Sequence, residues 1–127
     1  MLVHPLHPLN WHAGWGLILC GLLAGAAIGV FFHREEFLGG YTSLRRRIVR
    51  LGHIACVALG GLNVLFAVAV PVSSFSHVAS ILLICGGVLM PAICFLTAWK
   101  TNFRHAFFMP VLCLVGAVVL VLIGGVS

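Results

Sequence analysis

Four long apolar runs divide the chain, and each is long enough to cross a bilayer as a helix. A membrane-spanning helix needs about 20 apolar residues, because each residue adds about 1.5 Å and the hydrocarbon core is about 30 Å thick. The pattern predicts spans over residues 11–32, 48–70, 78–99 and 106–126. The sequence therefore predicts an all-α integral membrane protein with a single domain over residues 1–127.

Short polar connections separate the runs. They read HREEFLGGYTSLRRR, PVSSFS and KTNFRH. Connections of this length make consecutive helices antiparallel neighbours, which predicts an up-down four-helix bundle. All seven Lys and Arg residues fall in the first and third connections. The positive-inside rule places those connections in the cytoplasm, so we expect both termini outside, in a bacterial cytoplasmic membrane.

Polar residues before three of the runs are candidates for helix N-caps. Thr42 or Ser43 can cap the second helix, Ser76 the third and Asn102 the fourth. In each case a side-chain oxygen can accept a hydrogen bond from an otherwise unpaired amide of the first turn.

The composition excludes several classes of protein. Hydrophobic residues make up 62% of the chain and charged residues 7%, which is incompatible with a soluble enzyme, a coiled coil, a disordered tail or a disulfide-rich secreted module. The net charge of +5 reflects topology and contact with anionic lipid, and it predicts no nucleic-acid binding. The expected partners are the lipid bilayer and either other membrane subunits or a second copy of the chain.

Small residues and one amide predict how the helices associate. Gly21, Gly25 and Gly29 recur every four residues and form a ridge for close helix packing, within the chain or between two copies. Asn63 lies in the middle of a span, where an unsatisfied amide costs several kcal/mol. We expect it to face the interior, bonded to a neighbouring helix near the carbonyl that Pro91 frees, or to touch a ligand.

The five cysteines all lie inside predicted spans. Their spacing matches no Cys/His metal site, and none lies in an outer connection where disulfides form. We interpret them as small buried hydrophobic residues.

Seven histidines raise the question of a cofactor. The predicted spans place His33, His53 and His105 at one depth near the inner face, beside cations. Two imidazoles approaching from opposite sides can hold a b-type haem, whose propionates pair with cations at the interface. The favoured pair is His53 with His105, with His33 as a substitute. The cations that could meet the propionates are Arg47, Arg50 and Arg104.

A second, outer layer contains His4, His7, His12 and His77. Within it, His12 and His77 open the first and third helices and offer a weaker parallel haem site. A structural interpretation stands beside both layers, because histidines at helix ends often extend into the membrane interface or bond a neighbouring helix. The identity of any metal stays open.

The residue pattern contains no catalytic constellation. It offers no nucleophile with a base, no nucleotide loop and no carboxylate within a span. We therefore predict a small membrane subunit of an electron-transfer or respiratory-type complex that could hold haem b. The alternative is a non-catalytic accessory subunit without a cofactor, which packs against a larger complex and orders lipid or pigment. An enzyme acting alone is the less favoured interpretation.

Several stretches resemble known kinds of bacterial membrane protein. The combination FHREEFLGGYTSLRRRIVRLGHIACVALGGLNVLF, with MPAICFLTAWK and FRHAFFMPV, is similar to a family of small four-helix membrane proteins without an established activity. The layout is also similar to the haem-binding, oxygen-independent protoporphyrinogen oxidase, with a histidine before helix one and an arginine stem before helix two. This chain has no mid-span histidine in helix three, so the resemblance implies no catalytic residues here.

Overall fold

Four long helices make up most of the protein. The structure, a computed structural model, describes residues 4–124. The helices are α1 (Pro8–Phe31), α2 (Leu44–Ala69), α3 (Ser74–Trp99) and α4 (Phe108–Gly124), with short 3-10 helices at Phe37–Gly39 and Thr101–Phe107 in two of the connections. With the second 3-10 helix counted into the last span, all four are long and apolar enough to cross a membrane. The prediction of an all-helical protein with four helices long and apolar enough to span a membrane is confirmed.

Serine side chains set where α2 and α3 begin. Ser43 Oγ accepts a hydrogen bond from the Arg46 amide at 3.2 Å, which confirms the predicted cap of α2. The predicted cap of α3 was wrong by one turn. Ser73 is the N-cap, and Ser76 is its reciprocal partner in a capping box, with Ser73 N donating to Ser76 Oγ at 2.7 Å. Both helices thus begin four residues before the predicted apolar spans.

The start of α4 also differs from the prediction. Asn102 lies within the 3-10 helix and caps no α-helix, because α4 begins at Phe108. Pro110 then falls in the first turn of α4, where its missing N–H leaves no bond unmade. Residues 125 and 126 of the predicted fourth span lie outside the described residues.

The helices are not equally buried. The central pair is α2 and α3; α1 packs mainly on α2, and α4 packs on α3. The apolar core lies between the last three helices and contains Phe66, Ala79, Leu83 and Ala117. As a result, α1 and α4 present most of their surface outward.

Glycines bring α1 and α2 into backbone contact along a line that we call the glycine seam. A Cβ atom built on Gly14 would lie 2.7 Å from the Gly60 carbonyl oxygen, and one built on Gly60 would lie 2.7 Å from the Gly14 oxygen. Only residues without a side chain allow this approach. Along the seam, Asn10 meets Asn63, Gly14 meets Gly60, Gly21 meets Val57 and Gly25 meets His53.

Only part of the predicted glycine ridge on α1 packs against another helix. Gly21 and Gly25 lie against α2, and an added Cβ at either would collide with α2 side chains. Gly29 has no atom within 4 Å of such a Cβ. Gly14, which the four-residue repeat does not include, makes the closest backbone approach in its place.

We predict that Gly14→Ala lowers the free energy of unfolding by about 1–3 kcal/mol, because the added methyl group must push the two backbones apart. Gly16→Ala is the matched control, since nothing lies within 4 Å of its Cβ position and alanine favours a helix. The measurement is denaturant unfolding in mixed micelles. Equal effects of the two substitutions would show that the seam does not hold the helices.

Candidate functional site

A buried polar network joins three helices near the start of α1. Asn10 Nδ2 donates to Asn63 Oδ1 at 2.8 Å and to the Ser80 carbonyl at 3.4 Å, and Ser80 Oγ donates to Asn10 Oδ1. Asn10 and Asn63 are both 0% exposed. Because buried amides without partners are costly, the network fixes the positions of α1, α2 and α3 relative to one another.

Asn63 completes its hydrogen bonds within the same network. Its Nδ2 donates to the Leu59 carbonyl at 2.9 Å and to the Leu83 carbonyl of α3 at 3.4 Å. The amide therefore bonds neighbouring helices, but its acceptor on α3 lies two turns before Pro91. Sequence reasoning overlooked its main partner, Asn10, which lies one residue before the predicted first span.

His53 lies in a notch of the glycine seam. Its Nδ1 is 2.7 Å from the Gly21 carbonyl oxygen, so it donates a hydrogen bond to α1. The ring occupies the space that a side chain at Gly25 would need. A carbonyl acceptor at Nδ1 fixes the tautomer with the proton on that atom and leaves Nε2 as the nitrogen with a lone pair.

Arg46 is the most buried cation of the basic connection, at 3% exposed. Its Nη2 donates to the Phe32 carbonyl and its Nη1 to the Arg34 carbonyl at 3.5 Å. The guanidinium carbon lies 4.0 Å from the centre of the Phe32 ring and 3.9 Å from that of Tyr41. We call this arrangement the arginine clasp, because it ties the end of α1 to the first turn of α2.

The arginine clasp supplies a donor to the Phe32 carbonyl at the C-cap of α1, whereas the Arg34 carbonyl also accepts from the Phe37 amide. The last carbonyls of a helix have no partner within the helix, and a cation near them is favoured by the helix dipole. Cation–π contact with two aromatic rings, whose planes are inclined at 84° to each other, partly replaces the water that a buried guanidinium loses. Arg46 Nε is nevertheless buried without a hydrogen-bond partner. The sequence alone does not distinguish Arg46 from the other three arginines of RRRIVR, because the four differ only in which side of α2 they occupy.

The other predicted cofactor residues lie in open surroundings. His33, His105, Arg47, Arg50 and Arg104 are all exposed. His105 and Arg104 belong to the 3-10 helix before α4, whereas His53 faces α1. Arg47 donates to the Thr42 carbonyl at 3.3 Å, and Arg50 lies 5.6 Å from the Phe32 ring centre.

At the start of α1, the structure pairs different histidines from those predicted. The ring centres of His7 and His77 are 6.2 Å apart, whereas His12 is exposed. His7 is buried, and its Nε2 is 3.2 Å from the Val70 carbonyl oxygen. Its backbone amide donates to the Ala67 carbonyl at 3.2 Å, so the segment before α1 is tied to the end of α2.

An apolar groove of about 240 Å³ runs between α2 and α4. It is lined by hydrocarbon side chains that include Leu62, Phe66, Leu83, Ala117, Val118 and Leu122. In the part of the chain that the structure describes, no three His, Cys, Asp or Glu side chains are grouped as a metal site would require. The polar side chains and this groove therefore do not form one pocket.

Comparison of the chain with protein-family models, with curated proteins and with solved structures gives no match. The function is therefore inferred from the residues of this chain and the contacts they make.

We predict that Arg46→Lys loosens the connection between α1 and α2. Lysine cannot bond two carbonyls while its charged group also contacts both rings, and we expect a loss of about 1–3 kcal/mol locally. Chymotrypsin should cleave the variant faster at Phe37 or Tyr41 than it cleaves the unmodified protein. Arg45→Lys, at an exposed position, is the matched control, and equal cleavage rates in the two variants would contradict the arginine clasp.

Proposed function

We propose that the protein is a non-catalytic membrane subunit that packs laterally against a larger membrane assembly. One observation carries the proposal: the buried Asn10, Asn63 and Ser80 and the partly buried His53 bond helix to helix and do not converge on a cavity. Thr97 on α3, also buried, is an exception, because its Oγ1 has no hydrogen-bond partner among the described residues. The groove between α2 and α4 is lined by hydrocarbon, which suits lipid or an apolar neighbour.

The proposal includes an up-down arrangement with the start of α1 and the end of α4 on the outer side. The seam supports it, because residue numbers rise along α1 as they fall along α2 from one contact to the next. The seven cations, confined to two connections, support a cytoplasmic location for both. A reporter enzyme fused in the 100–107 connection would read the side of the membrane directly.

The outward faces of α1 and α4 are the surfaces proposed to meet the assembly. Leu19, Leu22 and Leu23 on α1 and Leu112 and Leu122 on α4 are exposed. In lipid, such faces gain little from hydrophobicity alone, so contact with another helix depends on shape and packing. The exposed Gly16 and Gly29 on α1 would allow close approach.

A photo-crosslinking amino acid at Leu22 or Leu112 tests this role in the native membrane. We expect a discrete adduct of one defined mass with a second protein. The matched control is the same residue at Phe66, which is buried in the core and should react only within the chain. Adducts with lipid alone from both exposed positions, or a protein that is stable and active in isolation, would contradict the proposal.

A subunit of an electron-transfer complex that holds a b-type haem is the second candidate. The Gly21 carbonyl that accepts from His53 Nδ1 favours it, because such a bond orients an imidazole and raises its basicity as a ligand. The contact of the His53 ring with Gly25 opposes it, since α1 would have to move away before Nε2 could meet iron and a second imidazole such as His105.

A reduced-minus-oxidised absorption spectrum of the purified protein distinguishes the two candidates. A haem subunit should show Soret and α bands that disappear in His53→Ala and in His105→Ala. The bands should persist in His4→Ala, an exposed histidine that belongs to neither predicted haem site. A spectrum that lacks these bands, even after haem is supplied, would contradict the haem-binding candidate and favour the accessory subunit.

A further inference from the structure

The rings of His7 and His77 lie close together at the end of the bundle where α1 begins. Their ring centres are 6.2 Å apart and their planes are inclined at 81°. Two imidazoles on opposite sides of one ion would have centres about 6 Å apart, given a metal–nitrogen distance of about 2.0 Å and a further 1 Å or so from each nitrogen to its ring centre. Each ring could rotate about the line through the two nitrogens and the ion without changing the distance between the ring centres. An angle of 81° between the ring planes is therefore compatible with such an arrangement.

The hydrogen bond of His7 selects the nitrogen that could bind an ion. The Val70 carbonyl can only accept, so Nε2 carries the proton and donates to it at 3.2 Å. Nδ1 therefore keeps its lone pair. A backbone carbonyl that holds the opposite nitrogen is the usual second partner of a metal-binding histidine, because it fixes both the tautomer and the ring direction.

The two histidines differ in burial: His7 is held by its surroundings, whereas His77 is accessible from outside. His7 is 5% exposed, and its ring lies 4.8 Å from that of Phe66, measured between centres. His77 is exposed, and its backbone is held in the first turn of α3 by a bond to the Ser73 carbonyl. An ion can thus arrive from the aqueous side through His77 and meet a ring whose position is already set.

We propose that His7 and His77 bind one Cu(I) ion between them. Among the described residues, no third His, Cys, Asp or Glu joins the pair. The number of available ligands therefore favours Cu(I), because Zn(II) and other divalent metals require more than two donors. Charge selects it as well. The only acids of the chain, Glu35 and Glu36, belong to the connection at the other end of α1, so a single positive charge costs less here than two. This site is independent of the proposed accessory role.

Titration with Cu(I) against a chromogenic chelator, with ascorbate present, tests the site in the purified protein. Because thiolates bind Cu(I) strongly and Cys20 and Cys85 are free and exposed, the titration is made on the Cys20→Ala, Cys85→Ala background, to which the histidine substitutions are added. We expect one ion per chain and an X-ray absorption spectrum with two nitrogen neighbours. His77→Asn should weaken binding by more than about tenfold, since one of two ligands is lost. It is the deciding variant, because His77 is exposed and its replacement leaves the core intact.

His12→Asn and His4→Asn are the matched controls, because both residues are exposed histidines in the same part of the sequence. Both variants should bind Cu(I) as the unmodified protein does. His7→Asn should also lose binding, with retention of helicity checked by circular dichroism. Unchanged affinity in His77→Asn, loss of binding in the controls, or a four-coordinate spectrum would overturn the proposal.

Discussion

The close contact between the backbones of α1 and α2 is the constraint on which the rest of the structure depends. Hydrocarbon tails are as apolar as leucine, so two helices in a bilayer gain little from hydrophobic burial. Dispersion forces fall off steeply with distance, and they become useful only where backbones approach closely. Gly14 and Gly60 provide that approach. Since α1 has few contacts with other helices, its place in the fold is determined by this one interface.

Polar contacts act at three levels along this interface and restrict how the helices can slide. Asn10 and Asn63 meet at one end, His53 bonds the Gly21 carbonyl further along, and Arg46 bonds the Phe32 carbonyl at the C-cap of α1. A shift by one residue would break the hydrogen bonds at all three levels and press side chains into the glycine notches. Glycine contacts bring the helices close, and the polar groups determine the register in which they meet.

Hydropathy predicted the number of spans and most of their extent, because long apolar runs leave few alternatives in a membrane. The apolar runs begin four residues after the starts of α2 and α3, since Ser43 and Ser73 extend these helices into polar sequence through local hydrogen bonds that hydropathy does not measure. Residue type predicted the cap at Ser43 but favoured Ser76 over Ser73. The same limit applies to Asn10, which looked like a residue outside the membrane and instead belongs to the core of the polar network.

The candidate sites were harder to predict. Residue type shows which side chains could act as ligands, but the groups that each side chain contacts in the fold determine its role. His53, His33 and His105 are equivalent as residue types at similar predicted depths, but only His53 lies against another helix. Arg46 differs from Arg45 and Arg47 only by its angle on α2, yet it alone of the three is buried. Such differences arise from the rotation of each helix about its axis, which packing of the whole bundle sets.

The position of a polar group along the bundle bears on what it can do. In the buried interior of the bundle, an unsatisfied donor or acceptor costs several kcal/mol, so Asn63 and Ser80 are stable there only with their partners already bound. Displacing one of these partners to admit a ligand would expose the others to hydrocarbon. At the end of the bundle water can replace a lost partner, so His77 can exchange ligands without this penalty. Any chemistry of the described residues is therefore expected at the ends of the helices, while the interior serves to hold them together.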